Sequence, residues 1–201
     1  MSDERFHWYQ QPVPTGEYSF MQLASLVEDV VTAAQRWVDV YGVGPFYVLP
    51  ARGPATVTYR GETTELELKI AVSQAGPLQI ELIEQVSDGP SVYRDVYGPG
   101  ESGLHHLCTV AKDYDEAVAH YTGLGFEFVA EQDAPGIGRV GYVDTVDDFG
   151  FITEIVEWSE PFLTLLSKTA RVCATWDGSD PVRLMRPTGG YDVPEASPSA
   201  T

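Results

Sequence analysis

The chain repeats itself at an interval of 84 residues. Residues 22–29 run Gln-Leu-Ala-Ser-Leu-Val-Glu-Asp and residues 106–113 run His-Leu-Cys-Thr-Val-Ala-Lys-Asp. Each is an apolar, strand-like run ending at an aspartate. An aspartate there suits a helix start, because its carboxylate accepts a hydrogen bond from a backbone N–H that the first turn leaves unpaired. The same spacing follows both: Asp29, Ala33, Trp37 and Asp113, Ala117, Tyr121. Positions four and eight beyond a cap share one helical face, so a small residue and a large aromatic are predicted to meet a sheet together. Both helices then run into glycine-bearing turns, Gly42-Val43-Gly44-Pro45-Phe46 and Gly123-Leu124-Gly125-Phe126, the first helix being three residues longer.

The parallel continues downstream. Residues 64–74 alternate as one half-exposed strand, and a Gly-Pro turn leads into Leu78-Gln79-Ile80-Glu81-Leu82-Ile83-Glu84. In the second half, residues 139–145 read as a strand, Asp147-Asp148-Phe149-Gly150 as a turn, and Ile152-Thr153-Glu154-Ile155-Val156-Glu157 as a strand. The fold class read from this pattern is α+β: two paired βαβββ modules forming a cupped mixed sheet, with a short C-terminal helical extension. The predicted organisation is an N-terminal arm at 1–17, a first module at 18–87, and a Gly/Pro/Ser-rich linker at 88–103. A second module at 104–158 follows, then a helical extension at 159–188, with a helix over 159–175, and a polar tail at 189–201 that should fray.

Composition narrows the function. Thirty Asp and Glu stand against twelve Lys and Arg, a formal net charge of −18, and the only lysines are Lys69, Lys112 and Lys168. Such a surface repels a phosphate backbone and an anionic bilayer, which excludes nucleic acid and membrane surfaces as partners. It also disfavours large polyanionic ligands unless a local basic cluster receives them. No run of eighteen apolar residues occurs, and the opening MSDERFHWYQ lacks the apolar stretch of a secretory signal, so the expected compartment is the cytoplasm. Two cysteines, Cys108 and Cys173, make neither a disulfide framework nor a CxxC zinc knuckle.

Three segments occur in a telling order: Gly103-Leu104-His105-His106-Leu107 leading to Asp113, Gln79-Ile80-Glu81-Leu82-Ile83, and Thr153-Glu154-Ile155-Val156. In that order and spacing the chain, over roughly residues 18–158, resembles the vicinal oxygen chelate superfamily. It also resembles the glyoxalase-like branch, with glyoxalase I and methylmalonyl-CoA epimerase, through Gly42-Val43-Gly44-Pro45-Phe46 and the Glu-Leu-Ile run. The resemblance implies a divalent metal at the base of the cup, with one ligand from the first and one from the last strand of each module. Carried onto this chain, the first-strand ligands are Gln22 and His106, each seven residues before its capping aspartate, and the last-strand ligands are Glu81 and Glu154. Many members have histidine at the first position, whereas this chain has Gln22, as some glyoxalase I enzymes do. His105 falls one residue off register and is expected on the opposite face of its strand.

Charge supports the same set. By period-two alternation Glu81 shares a face with Gln79 and Ile83, and Glu154 with Ile152 and Val156, so Glu154 is expected among apolar neighbours only. Ionised carboxylates in such company are costly unless a cation or proton compensates. Two glutamates with a neutral histidine and a neutral glutamine sum to −2, which a divalent ion (Zn, Mn, Mg, Co or Ni) cancels. Taken singly, each residue also reads as an ordinary one: exposed strand glutamates, a core histidine, a polar glutamine. Cys108 shares the His106 face and reads as a cavity liner or a packing thiol.

The resemblance implies an isomerase, epimerase or glyoxalase-type lyase that abstracts a proton next to a substrate carbonyl, with the metal stabilising the enolate and Glu81 or Glu154 as base. Two alternatives remain: a metal-free small-molecule binding protein of the resistance type, and an extradiol-type dioxygenase. The expected partner is a small carbonyl compound, and a homodimer is compatible with the sequence.

Overall fold

The computed structural model describes residues 20–195; the arm expected at 1–17 lies outside the described residues. The first half runs β1 (Phe20–Leu26), α1 (Val30–Tyr41), β2 (Phe46–Val48), β3 (Ala55–Tyr59), β4 (Glu62–Leu66), β5 (Leu68–Ala75) and β6 (Leu78–Gln85). After a short α2 (Val92–Val96), the second half runs β7 (Gly103–Ala111), α3 (Tyr114–Gly123), β8 (Glu127–Ala134), β9 (Gly138–Asp144), a one-turn α4 (Val146–Phe149) and β10 (Ile152–Glu157). Then come α5 (Glu160–Ala174), β11 (Val182–Met185) and β12 (Tyr191–Asp192). The stretch expected as a linker thus contains a helix, and the stretch expected to fray contributes a strand.

Among the described residues twelve strands join one mixed sheet in the order β12-β11-β2-β5-β6-β1-β7-β10-β9-β8-β3-β4. The halves meet where β1 and β7 pair antiparallel. On either side the arrangement is the same, first strand, last strand, last but one, second: β1-β6-β5-β2 and β7-β10-β9-β8. This is the paired-module architecture. Beyond it the sheet is stitched: the β3–β4 hairpin of the first half pairs with β8 of the second, and β11 adds to β2 of the first.

Both helix starts form as their aspartates dictate. Asp29 is extended and accepts from the Thr32 N–H at 2.7 Å; Asp113 accepts from the Glu116 N–H at 2.9 Å. Gly42 ends α1 in the left-handed conformation (φ 66°), which a glycine enters without steric cost. Each helix covers the outer face of its own half. Val30 and Ala34 pack with Ile80 and Leu82, and Tyr114 and Ala117 pack with Val143 and Ile155. The alternate residues of these strands face inward, where Ala24, Leu26, Ile83, Cys108, Ile152 and Val156 form the main core. Glu81 and Glu154 are on this inner face by the same alternation. Among the described residues no helix is long and apolar enough to cross a membrane.

Candidate active site

The strand register brings the four residues singled out above to one patch. Across the four central strands, Gln79, Gln22, Cys108 and Glu154 lie opposite one another in one row, continued by Tyr142. The next row holds Glu81, Ala24, His106 and Ile152. Each glutamate is therefore opposite the residue two beyond its own half's first-strand position: Ala24 for Glu81, Cys108 for Glu154. His106 Nε2 stands 3.3 Å from Glu154 Oε2 and 3.5 Å from Glu81 Oε2. Gln22 is on the adjoining rung, and its Nε2 donates to Gln79 Oε1 at 2.6 Å. His106 is fully buried, Gln22 is 5% exposed and Glu154 6%.

His105 departs from the strand alternation. The β1–β7 register slips between Ala24 and Ser25, which pair with His106 and Leu104, so His105 is the extra residue of a β-bulge. A bulge sets two successive side chains against one partner instead of on opposite faces. Both imidazoles are consequently buried side by side, with Nδ1 to Nδ1 at 2.9 Å, and the expectation that His105 turns to the far face is corrected. His105 Nε2 lies 3.1 Å from the Val92 carbonyl in α2, with its ring stacked on Tyr93 at 4.7 Å between centroids.

These contacts settle which nitrogens carry protons. The Val92 carbonyl can only accept, so His105 Nε2 carries the hydrogen and its Nδ1 is an acceptor. His106 Nδ1 must then donate to it, which leaves a lone pair on His106 Nε2 when that ring is neutral. That lone pair faces two carboxylates, and His106 Nε2 is a buried polar atom with no hydrogen-bond partner.

The electrostatics follow. Burial opposes charge on His106, yet the Glu154 carboxylate and its contact, reinforced by Glu81, carry the imidazole up to about 9. Burial, aided by the Glu154 charge, holds Glu81 above the usual carboxylate range. Glu154 also feels burial, but His106, Cys108 and Tyr142 all favour its charged form and bring it below that range. Its surroundings are more polar than the strand pattern suggests, because Cys108 and Tyr142 reach it from the neighbouring strands. Burial, then the charge on His106, press His105 down to about 3, consistent with a neutral ring. Burial raises Cys108, Tyr93 and Tyr142 well above their ordinary values, and the two phenols hydrogen-bond each other at 2.9 Å.

Among the described residues no three His, Cys, Asp or Glu side chains already form a coordination group. The donor chemistry nevertheless suits a divalent cation: two carboxylates converge on His106 Nε2, whose proton offsets their charge and would be displaced by a bound ion. Gln22, Glu81 and Glu154 line a cavity of about 340 Å³, whereas His106 sits behind them in the wall. The family resemblance made Glu81, His106 and Glu154 legible as a set, and strand alternation gave the face neighbours of the two glutamates. Tyr93, Tyr142 and His105 were missed: Tyr93 comes from a helix inside the expected loop, and nothing in the sequence marks the bulge.

Comparison with known proteins agrees with this architecture. The family described as the Glyoxalase/Bleomycin resistance protein/Dioxygenase superfamily matches residues 21–142. No curated protein matches in sequence. Among solved structures, a methylmalonyl-CoA epimerase from Mycobacterium tuberculosis superposes with a TM-score of 0.54 at 14% identity, covering 78% of this chain and 99% of that one. A hypothetical protein from Bacillus halodurans C-125 superposes with a TM-score of 0.52 at 17% identity, covering 72% and 97%. At these identities the likeness is one of fold. With the family match spanning well over half its length, the chain belongs to the glyoxalase/bleomycin resistance protein/dioxygenase superfamily.

Proposed function

We propose that this chain is a divalent-metal-dependent enzyme that moves a proton next to a substrate carbonyl, as an isomerase, epimerase or glyoxalase-type lyase. One observation carries the reading: His106 Nε2, on a ring oriented by the His105–Val92 chain, faces the buried carboxylates of Glu81 and Glu154. Those three residues would hold the ion, with Gln22 on the adjoining rung as the fourth donor. When bound, the ion supplies positive charge where negative charge develops on the carbonyl oxygen. The fold shared with an epimerase supports a scaffold able to host such a site, while the reaction is argued from the residues themselves.

Glu81 is the base. Glu154 is contacted by His106, Cys108 and Tyr142, which fix it and favour its anion. The favourable contacts on Glu81 come from His106, and it lines the cavity with its side chain still 13% exposed, so it is the freer of the two. A carboxylate held up by burial is also the better proton acceptor near neutral pH. Glu81 takes the proton from the carbon beside the carbonyl and returns it to the same or another position. Tyr93 and Tyr142, whose rings line the cavity, keep water from that carbon.

Metal analysis of purified protein saturated with Mn, Zn or Mg, followed by deuterium exchange into a panel of carbonyl compounds in D₂O, tests this. Glu81→Gln should retain metal, because an amide oxygen still coordinates, while exchange falls at least a hundredfold. His106→Ala should lose metal and exchange together. A saturated protein without bound ion overturns the metal role, and full exchange in Glu81→Gln overturns its assignment as base.

A further inference from the structure

The cavity has a roof that the duplicated modules do not supply. Helix α5 is tied to both halves. At its start Ser159 Oγ donates to the Ile137 carbonyl in the β8–β9 turn at 2.5 Å, and Phe162 is buried in the main core. At its end Cys173 Sγ lies 3.6 Å from Ser73 Oγ and 3.8 Å from the Pro45 carbonyl. The Trp176 ring then rests where a side chain on Gly44 would stand. Between these anchors, Phe162, Leu165, Lys168, Thr169 and Val172 face the cavity.

The space so enclosed is compact and apolar. Its volume of about 340 Å³ falls near the lower end of the roughly 300–1,000 Å³ typical of small-ligand sites. Leu68, Ile70 and Val72 of β5 line it together with Val140 and Val156, and its carboxylates, Glu81 and Glu154, both come from the central strands. Lys168 is the one lysine or arginine among the lining residues. It is exposed, so its ammonium stays in water at the rim while its stem runs along apolar wall. Of the other two lysines, Lys69 binds Glu84 at 2.6 Å and Lys112 is also engaged, whereas Lys168 makes no ion pair among the described residues.

We infer that the site takes a compact molecule with an apolar body, its carbonyl toward Glu81 and Glu154 and a single carboxylate at the far end held by Lys168. This rests on the proton-transfer reading for the carbonyl end and adds the substrate class. A nucleotide thioester is the wrong shape and charge: its phosphates would emerge past α5 onto a chain of net charge −18, with Lys168 the one cation of the lining to receive them. An ω-oxo acid of medium length matches apolar walls, a polar base and one cation at the rim.

The test uses the full-length protein loaded with Mn, with 7-oxooctanoate as probe, octan-2-one as the same methyl ketone without the carboxylate, and acetoacetyl-CoA as the thioester. Binding is read by calorimetry and exchange at the carbons beside the ketone by NMR. The expected result is that 7-oxooctanoate binds at least tenfold more tightly than octan-2-one. Lys168→Gln should remove that difference, Lys168→Arg should restore it, and acetoacetyl-CoA should not displace the oxo acid. Equal binding of acid and ketone, indifference to Lys168→Gln, displacement by the thioester, or no binding of either ketone each overturns the inference. The two readings fail separately. A carboxylate preference that depends on Lys168, without deuterium exchange, keeps the substrate class and removes the proton transfer. Exchange that ignores Lys168 does the reverse.

Discussion

His105 shows how one inserted residue can set the chemistry of its neighbour. Had β7 kept strict alternation, His105 would face away and the His106 ring would be free to present either tautomer. The bulge instead makes His105 the acceptor for His106 Nδ1–H and hands the other end of the chain to the Val92 carbonyl. His105→Phe keeps an aromatic ring against Tyr93 but removes the acceptor, so it should weaken Mn affinity about 10–100-fold, the usual cost of losing an outer hydrogen bond to a ligand. Calorimetric titration of the variant, with circular dichroism to show that it folds, checks this; unchanged affinity would mean the relay is structural only. Asp29 is a simpler case. The Thr32 N–H, against a smaller opposing effect of burial, holds its carboxyl below the ordinary 3.8. A depressed folded value means the stabilisation is full above the unfolded value and fades as pH falls through the folded one. Asp29→Ala should therefore cost about 1 kcal/mol near neutrality and progressively less below about pH 4, read from urea midpoints across pH. The cap was legible from its aspartate and the spacing behind it. The bulge was not, because a slip in register leaves no compositional trace.

The strands differ in how much the sequence disclosed. Those that define the modules, β1, β6, β10 and β7 beyond its bulge, set alternate residues on two faces because one face meets a helix and the other the core. Residues 64–74 read as one strand, yet the chain divides at Glu67, whose carbonyl accepts from the Val86 N–H at 2.8 Å and whose own N–H donates to Ser87 Oγ at 3.2 Å. On one side β4 follows β3 to the second half; on the other, β5 stays with β6. Leu66 and Leu68 continue the alternation through the break, so the pattern alone cannot show it. Helix α5 was legible as a helix over 159–175, but its position as a roof depends on contacts distant in sequence. Gly44 is one of them. A Cβ there would meet the Trp176 ring at 2.7–2.8 Å, so Gly44→Ala must displace the ring or the loop. We expect a loss of about 1–3 kcal/mol, as for other overpacked sites. The Trp176 fluorescence should shift as the C-terminal end of α5 loosens, and unaltered stability with an unaltered spectrum would show that α5 is not pinned there.

The duplicated halves invite the view of two small domains side by side, and the sheet argues against it. The first half lends strands to the edge of the second, and the C-terminal segment to the edge of the first: β3–β4 closes onto β8, where Thr58 and Tyr59 pair with Glu131 and Ala130, and β11 closes onto β2. Arg60, at the tip of that hairpin, reaches both Asp95 at 3.1 Å and Glu127 at 2.7 Å, tying α2 to the second half. The main core draws Ala24 and Ile83 from one half and Cys108, Tyr142 and Val156 from the other, and the candidate centre takes Gln22 and Glu81 from one and His106 and Glu154 from the other. Neither half can bury its inner face without its partner, so neither has a separate folded state to populate. Urea unfolding of the metal-free protein should thus be a single transition, with far-UV dichroism and tryptophan fluorescence coincident, since Trp37 on α1 and Trp158 after β10 report on opposite halves. Replacing residues 55–66 with a short Gly-Ser turn removes the first half's grip on β8, and the two signals should then separate, the Trp158 environment failing first. Separate transitions in the unaltered chain would mean that the halves fold independently and that the site is assembled only when they dock.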